Sequence, residues 1–151
     1  MILRKARMHD VEDIHGLISD SAAEGLMLAR SRSLLYEGLR DITVAVEEGQ
    51  IIGTGSLHIL WEDLAEIRGL AIRKEARGRG IGKDIVEMLI EEAKNLGIDR
   101  VFALTYQEGF FRKCGFEVVQ KEQLPHKVWK ECIDCPKFPN CDEVAMLLHV
   151  K

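Results

Sequence analysis

Two spacings of apolar residues alternate along this chain and lay out its elements. The run Ile2 to Ala6 predicts a short opening strand. Val11, Ile14, Leu17, Ile18 and Ala22 then recur at helical spacing, on one face of a helix that Asp10 caps, that runs to about Ala23 and that Gly25 ends. Ser31 or Ser33 caps a second, short helix through Leu34, Leu35 and Leu39. Ile42 to Val46 and Ile51 to Leu60 predict two strands joined at Glu48-Gly49 as a hairpin, and Leu64 to Ile72 predicts a third.

A glycine-rich loop follows. Helical spacing then returns with Ile81, Ile85, Leu89, Ala93 and Leu96, and Gly97 suits the position just past the helix end. Arg100 to Thr105 is rich in apolar residues, as a strand covered on both faces would be. Gly109 to Cys114 predicts a short helix stopped by Gly115, and Phe116 to Gln120 predicts a strand. Pro125 starts a helix through Val128 and Trp129, and Val144 to Val150 is the closing strand. Hairpin strands, a strand–loop–helix–strand unit and further strands make the fold class α/β, with a mixed central β-sheet flanked by helices.

The length of 151 residues fits a single domain over 1–151, and 46% hydrophobic residues suffice for its core. A net charge of −4 argues against general binding to nucleic acid or anionic membranes. The longest apolar runs fall well short of a membrane span, and the start, Met-Ile-Leu-Arg-Lys-Ala-Arg, has no apolar signal core. The expected location is cytoplasmic, and the four cysteines are then thiols or metal ligands rather than disulfides.

The loop, residues 77 to 83, reads R-G-R-G-I-G-K. Glycines let the backbone bend tightly and approach a ligand, and the helix that follows aims free N–H groups and its positive dipole end at an anion, a phosphate above all. The loop is neither a Walker A motif nor the dinucleotide fingerprint. With the strand ending Leu-Ala-Ile before it, the stretch E-I-R-G-L-A-I-R-K-E-A-R-G-R-G-I-G resembles the GNAT superfamily of acyl-CoA-dependent N-acetyltransferases. The later G-F-F-R-K-C-G-F is similar to that family's short helix beside the reactive thiol.

The resemblance implies a GNAT fold and acetyl-CoA as co-substrate. It places the pyrophosphate on the backbone of Arg77, Gly78, Arg79, Gly80, Ile81, Gly82 and Lys83. It places the pantetheine arm and the thioester carbonyl against a bulge at Leu70, Ala71 and Ile72. Glu66 stands where many family members keep a catalytic glutamate, to take the amine's proton directly or through a water. The alternative is a solvated strand glutamate that Arg68 could pair with. The family's usual general-acid tyrosine is replaced by Phe111, which cannot donate a proton. Water, Tyr106 or Cys114 then protonates the departing thiolate, unless the thiolate leaves unaided. The plainer reading of Tyr106 is an aromatic packed at a strand end.

The segments E-G-L-M-L-A-R-S-R-S-L-L-Y-E, F-A-L-T-Y and the closing A-M-L-L extend the similarity to the acetyltransferase portion of N-acetylglutamate synthases, of the short, stand-alone kind. The implied acceptor is L-glutamate, and the implied reaction opens arginine biosynthesis. Two carboxylates leaving water need cations, which singles out Arg30, Arg68 and Arg112. Each of them has the alternative of being a surface cation. Other acceptors remain open, as does a CoA-binding sensor without turnover.

Within 125–143, Cys132, Cys135 and Cys141 form a C-x₂-C-x₅-C cluster that His126 or Asp142 could complete as a structural zinc site. A second clear pair is missing, and acetyl transfer needs no metal, so reduced thiols shaping a lid or interface are the preferred reading. Ile59-Leu60-Trp61 and the last strand are the candidate surfaces for a homodimer.

Overall fold

The computed structural model describes residues 1–124 and 143–150. Strands β1 (Ile2–Lys5), β2 (Ile42–Glu47), β3 (Gln50–Trp61) and β4 (Leu64–Ile72) form an antiparallel half-sheet. β5 (Arg100–Thr105) joins β4 in parallel, and β6 (Glu117–Val119) and β7 (Val144–His149) complete a seven-stranded sheet in the order β1-β2-β3-β4-β5-β7-β6. β7 lies between β5 and β6 and runs antiparallel to both. The helices are α1 (Val11–Ala23), α2 (Arg32–Glu37), α3 (Ile81–Asn95) and α4 (Glu108–Lys113). A mixed sheet flanked by helices is the expected class.

The two sheet faces have separate cores. Ile81, Ile85, Val86 and Leu89 of α3 pack with Leu57, Ala65 and Ile67 on one side. Val11, Ile14, Leu17 and Ile18 of α1 pack with Ile42, Val44 and Ala71 on the other, with Leu35 of α2 joining them. Two strand glycines let α3 lie close. A Cβ on Gly53 would sit 3.1 Å from Ile85 Cδ1, and one on Gly55 would sit 2.8 Å from Ile85 Cγ2. α3 is the crossover that a parallel β4–β5 pair requires. That pair is short, with Leu64, Ala65 and Glu66 meeting Arg100, Val101 and Phe102. Among the described residues the pairing stops there, so the strands part beyond Glu66.

Three sequence expectations need adjustment. Asp10 was expected to cap α1, but a 3₁₀ turn over Met8–Asp10 precedes that helix, and Asp10 takes helical backbone angles at the junction. Its carboxylate is thereby turned back, accepting from the Arg7 N–H at 2.8 Å and from Arg4 Nη1 at 2.7 Å. Ser31 does cap α2, accepting from the Leu34 N–H at 3.2 Å, but α2 stops at Glu37 and Leu39 begins a separate 3₁₀ turn, Leu39–Asp41. β3 extends one residue further at each end than its apolar run. The helix expected from Pro125 lies outside the described residues.

Candidate active site

The site begins with a fault in the β3–β4 ladder. Thr54 pairs with Ala71 and Ser56 with Arg68, so Gly69 and Leu70 together oppose Gly55. That is a bulge, and Gly69 supplies its positive φ of 60°. The bulge was expected over Leu70, Ala71 and Ile72; it starts one residue earlier, at the glycine that accepts the turn without strain. Because it starts after Arg68, the strand alternation before it is intact, and Glu66 and Arg68 share one face.

Beside the bulge is a cavity of about 460 Å³. Leu70, Ala71 and Ile72 line it from β4, and Arg77, Gly78, Gly80, Ile81, Gly82 and Lys83 line it from the loop and the first turn of α3. Gln107, Phe110, Lys113 and Cys114 close it from the α4 side. Gly78 and Gly80 have φ of 81° and 79°, and no atom lies within 4 Å of where their Cβ atoms would be. No side chain caps the start of α3, so its first N–H groups suit an anion. Arg77 steadies the loop, bonding Glu24 at 2.7 Å and donating to the Ile72 carbonyl at 3.3 Å. Arg79 does not line the cavity and instead bonds Glu47 Oε1 at 3.1 Å.

Gly82 serves a purpose the sequence reading did not separate from the loop's. A Cβ there would come within 3.2 Å of the Phe110 ring, so glycine lets α4 pack against α3. Cys114 is half-buried, and burial pushes its thiol pKa up despite the opposing pull of Lys83, with Glu87 adding to the rise. The wall therefore carries a protonated thiol at neutral pH.

On the α1 face, immediately before the bulge, Glu66 is 8% exposed and accepts from Arg68 Nε at 2.6 Å. Arg30 comes to the same place: a Cβ on Gly69 would lie 3.9 Å from Arg30 Cδ. Arg112 is placed differently, on α4, 57% exposed at its side chain and bonded to Glu108 Oε2 at 2.7 Å. Tyr106 follows β5 directly and precedes the cavity residue Gln107. One residue was missed. His58 pairs in register with Glu66, and its Nδ1 lies 3.0 Å from Asp41 Oδ2. Only the hairpin register, which places it across from Glu66, could have drawn attention to it.

Cys132, Cys135, Cys141, His126 and Asp142 lie outside the described residues. Among the described residues no group of three His, Cys, Asp or Glu side chains could hold a metal ion. No described helix is long and apolar enough to cross a membrane. Ile59 and Trp61 stand 50% and 55% exposed at the end of β3.

A sequence profile described as the acetyltransferase (GNAT) family matches residues 12–116. A Chlorobaculum tepidum protein named as an uncharacterized N-acetyltransferase is 40% identical over 145 residues, covering 96% of this chain and 94% of its own length. An amino-acid acetyltransferase of Mycobacterium tuberculosis is 36% identical over 133 residues, covering 86% of this chain and 76% of its own length. A Mycobacterium tuberculosis protein solved in complex with CoA has a TM-score of 0.87 at 32% identity, with 100% of both chains covered. The N-acetylglutamate synthase of Neisseria gonorrhoeae, solved with CoA and N-acetyl-glutamate, has a TM-score of 0.89 at 24% identity. It covers 99% of this chain but 35% of its own, and that likeness concerns the fold.

Proposed function

This chain belongs to the acetyltransferase (GNAT) family, and we propose that it transfers the acetyl group of acetyl-CoA to the α-amine of L-glutamate, the opening reaction of arginine biosynthesis. The observation that carries this reading is the buried Glu66–Arg68 pair, with Arg30 beside it, immediately before a strand bulge that opens into the cavity. A carboxylate and two guanidinium groups on one face suit an acceptor that brings an ammonium and two carboxylates. The naming of a relative as an amino-acid acetyltransferase supports an amino-acid acceptor.

The cavity has the parts that acetyl-CoA requires. The glycine loop and the start of α3 receive the pyrophosphate, and the backbone of the bulge pairs with the pantetheine arm and turns the thioester carbonyl toward Glu66. Glu66 takes a proton from the ammonium, directly or through a water, and the amine attacks the carbonyl within a ternary complex, with no acetyl-enzyme. The C–S bond breaks, and the thiolate is protonated by water, by the Cys114 thiol or by Tyr106. Arg30 and Arg68 hold the substrate carboxylates. Arg112 joins them only by giving up Glu108.

The test is release of the CoA thiol from acetyl-CoA, with each common amino acid offered separately. Activity confined to glutamate is the expected result. Activity with a different amine retracts the roles of Arg30, Arg68 and Arg112. Silence across the panel, with acetyl-CoA still bound, removes the amino-acid reading in favour of a macromolecular acceptor or a CoA-binding sensor.

A further inference from the structure

The reaction proposed above liberates a proton that has to leave the site. The acceptor ammonium brings three N–H protons. The amide product keeps one, the departing CoA sulfur takes one, and the third belongs to the base. If Glu66 is that base, it must be emptied once per turnover. Glu66 is buried, and a proton resting on it gives up the charge-assisted bond to Arg68.

The residue directly across the ladder from Glu66 is His58. Opposed residues of an antiparallel pair share a face, with Cβ atoms about 4.5–5.5 Å apart. The His58 side chain is 35% exposed and Glu66's is 11%, so of the two opposed side chains the imidazole is the one that reaches solvent. Its Nδ1 bonds Asp41, itself partly exposed. An Asp carboxylate on Nδ1 selects the tautomer that carries hydrogen there, leaving Nε2 to accept.

Hydrogen bonding and strand register bring charged groups to His58 from two elements. Asp41 comes from the preceding 3₁₀ turn, with Arg40 exposed beside it, and Glu66 and Arg68 come from β4. The buried α1 residues, Ile14, Leu17, Ile18 and Ser21, are uncharged. From this placement we infer that His58, oriented by Asp41, is a proton-relay residue that takes the substrate-derived proton from Glu66 and hands it to solvent. No bond other than N–H and O–H is made or broken in the relay: Glu66 returns to the carboxylate, His58 Nε2 gains the proton, and water removes it.

The inference rests on the reading of Glu66 as the base, and the experiment separates the two. Steady-state kinetics with acetyl-CoA and the best amine are measured from pH 5.5 to 9 for the wild-type chain, His58→Gln, His58→Ala, Asp41→Asn and Glu66→Gln. The expected result is a roughly tenfold loss of kcat in His58→Gln, less than full removal of the base would cause because water substitutes in part. The KM for acetyl-CoA stays unchanged, the acid limb of the profile moves, imidazole in the buffer restores His58→Ala, and Asp41→Asn gives a smaller loss of the same kind. Unchanged pH profiles with no imidazole rescue, alongside a disabled Glu66→Gln, overturn the relay and leave the base in place. Full activity of Glu66→Gln overturns both. ¹⁵N NMR of the His58 ring is a readout that needs no turnover. Hydrogen on Nδ1 is expected, and hydrogen on Nε2 overturns the relay.

Discussion

Single residues carry the ligand-facing chemistry through backbone freedom and burial. Gly80 ends the loop at a φ of 79°, with open space where a side chain would begin. An alanine fits that space but not that backbone, at a cost of about 1–2 kcal/mol. Gly80→Ala is therefore expected to keep the fold and to shift the loop, raising the KM for acetyl-CoA about tenfold with kcat little changed, as steady-state kinetics will read. Cys114 shows the opposite control. Its thiol pKa is raised chiefly by burial, so it resists deprotonation at neutral pH even with Lys83 nearby. Iodoacetamide is expected to label it more slowly than free cysteine at pH 7.5 and more slowly still with CoA present, as mass spectrometry of the peptide containing residue 114 will show. Fast labelling unaffected by CoA would remove Cys114 from the cavity wall.

Elements are joined by contacts that the hydrophobic pattern does not announce. Asp10 ties β1 to α1 through Arg4, and the Arg4 guanidinium, helped by the Arg7 N–H, holds its carboxyl below the usual carboxylate range in spite of burial. A carboxyl depressed in the folded state contributes stability that is whole above the unfolded value, about pH 3.9, and drains away as pH falls through the folded value. Asp10→Asn is expected to lose about 1–3 kcal/mol at pH 7, and its deficit in Tm against wild type should narrow once the pH is below about 4. Between α3 and β3, Gly55→Ala forces a methyl against Ile85 Cγ2 and to 3.2 Å from Leu70 Cδ1. The expected cost is about 1–3 kcal/mol in thermal denaturation, with a raised KM for acetyl-CoA because Leu70 lines the cavity. The helices and most strands were legible because burial imposes the 3.6 and 2 periods directly on sequence. The bulge's starting point was less so: Gly69 is one of several glycines, and only its register against Gly55 gives it meaning. Asp10 reads as a cap because the 3₁₀ turn before it leaves no periodic mark. His58 lies in a strand of ordinary pattern, and its partner Asp41 is seventeen positions away.

At the scale of the molecule, the loop and the bulge were legible from a resemblance carried by contiguous residues, whereas the proposed acceptor side depends on side chains brought together from the connection between α1 and α2, from β3 and from β4. Arg30 and Arg68 converge there, and Arg112 is held elsewhere by Glu108. The parting of β4 and β5 organises the whole. Among the described residues their ladder ends at Glu66 and Phe102, leaving the later half of β4 without β5 pairing. Hydrogen exchange at Leu70, Ala71 and Ile72 is expected to slow when CoA is added, and the amides of Leu64 to Glu66, already in the ladder, should change little. A strand flank without a partner in the middle of a sheet has the same liability as a sheet edge, because it can template pairing with another chain. The pantetheine arm proposed to pair with the bulge would then have a second use as a guard over an adhesive seam, and protein stripped of CoA during purification should self-associate sooner on warming than protein kept saturated.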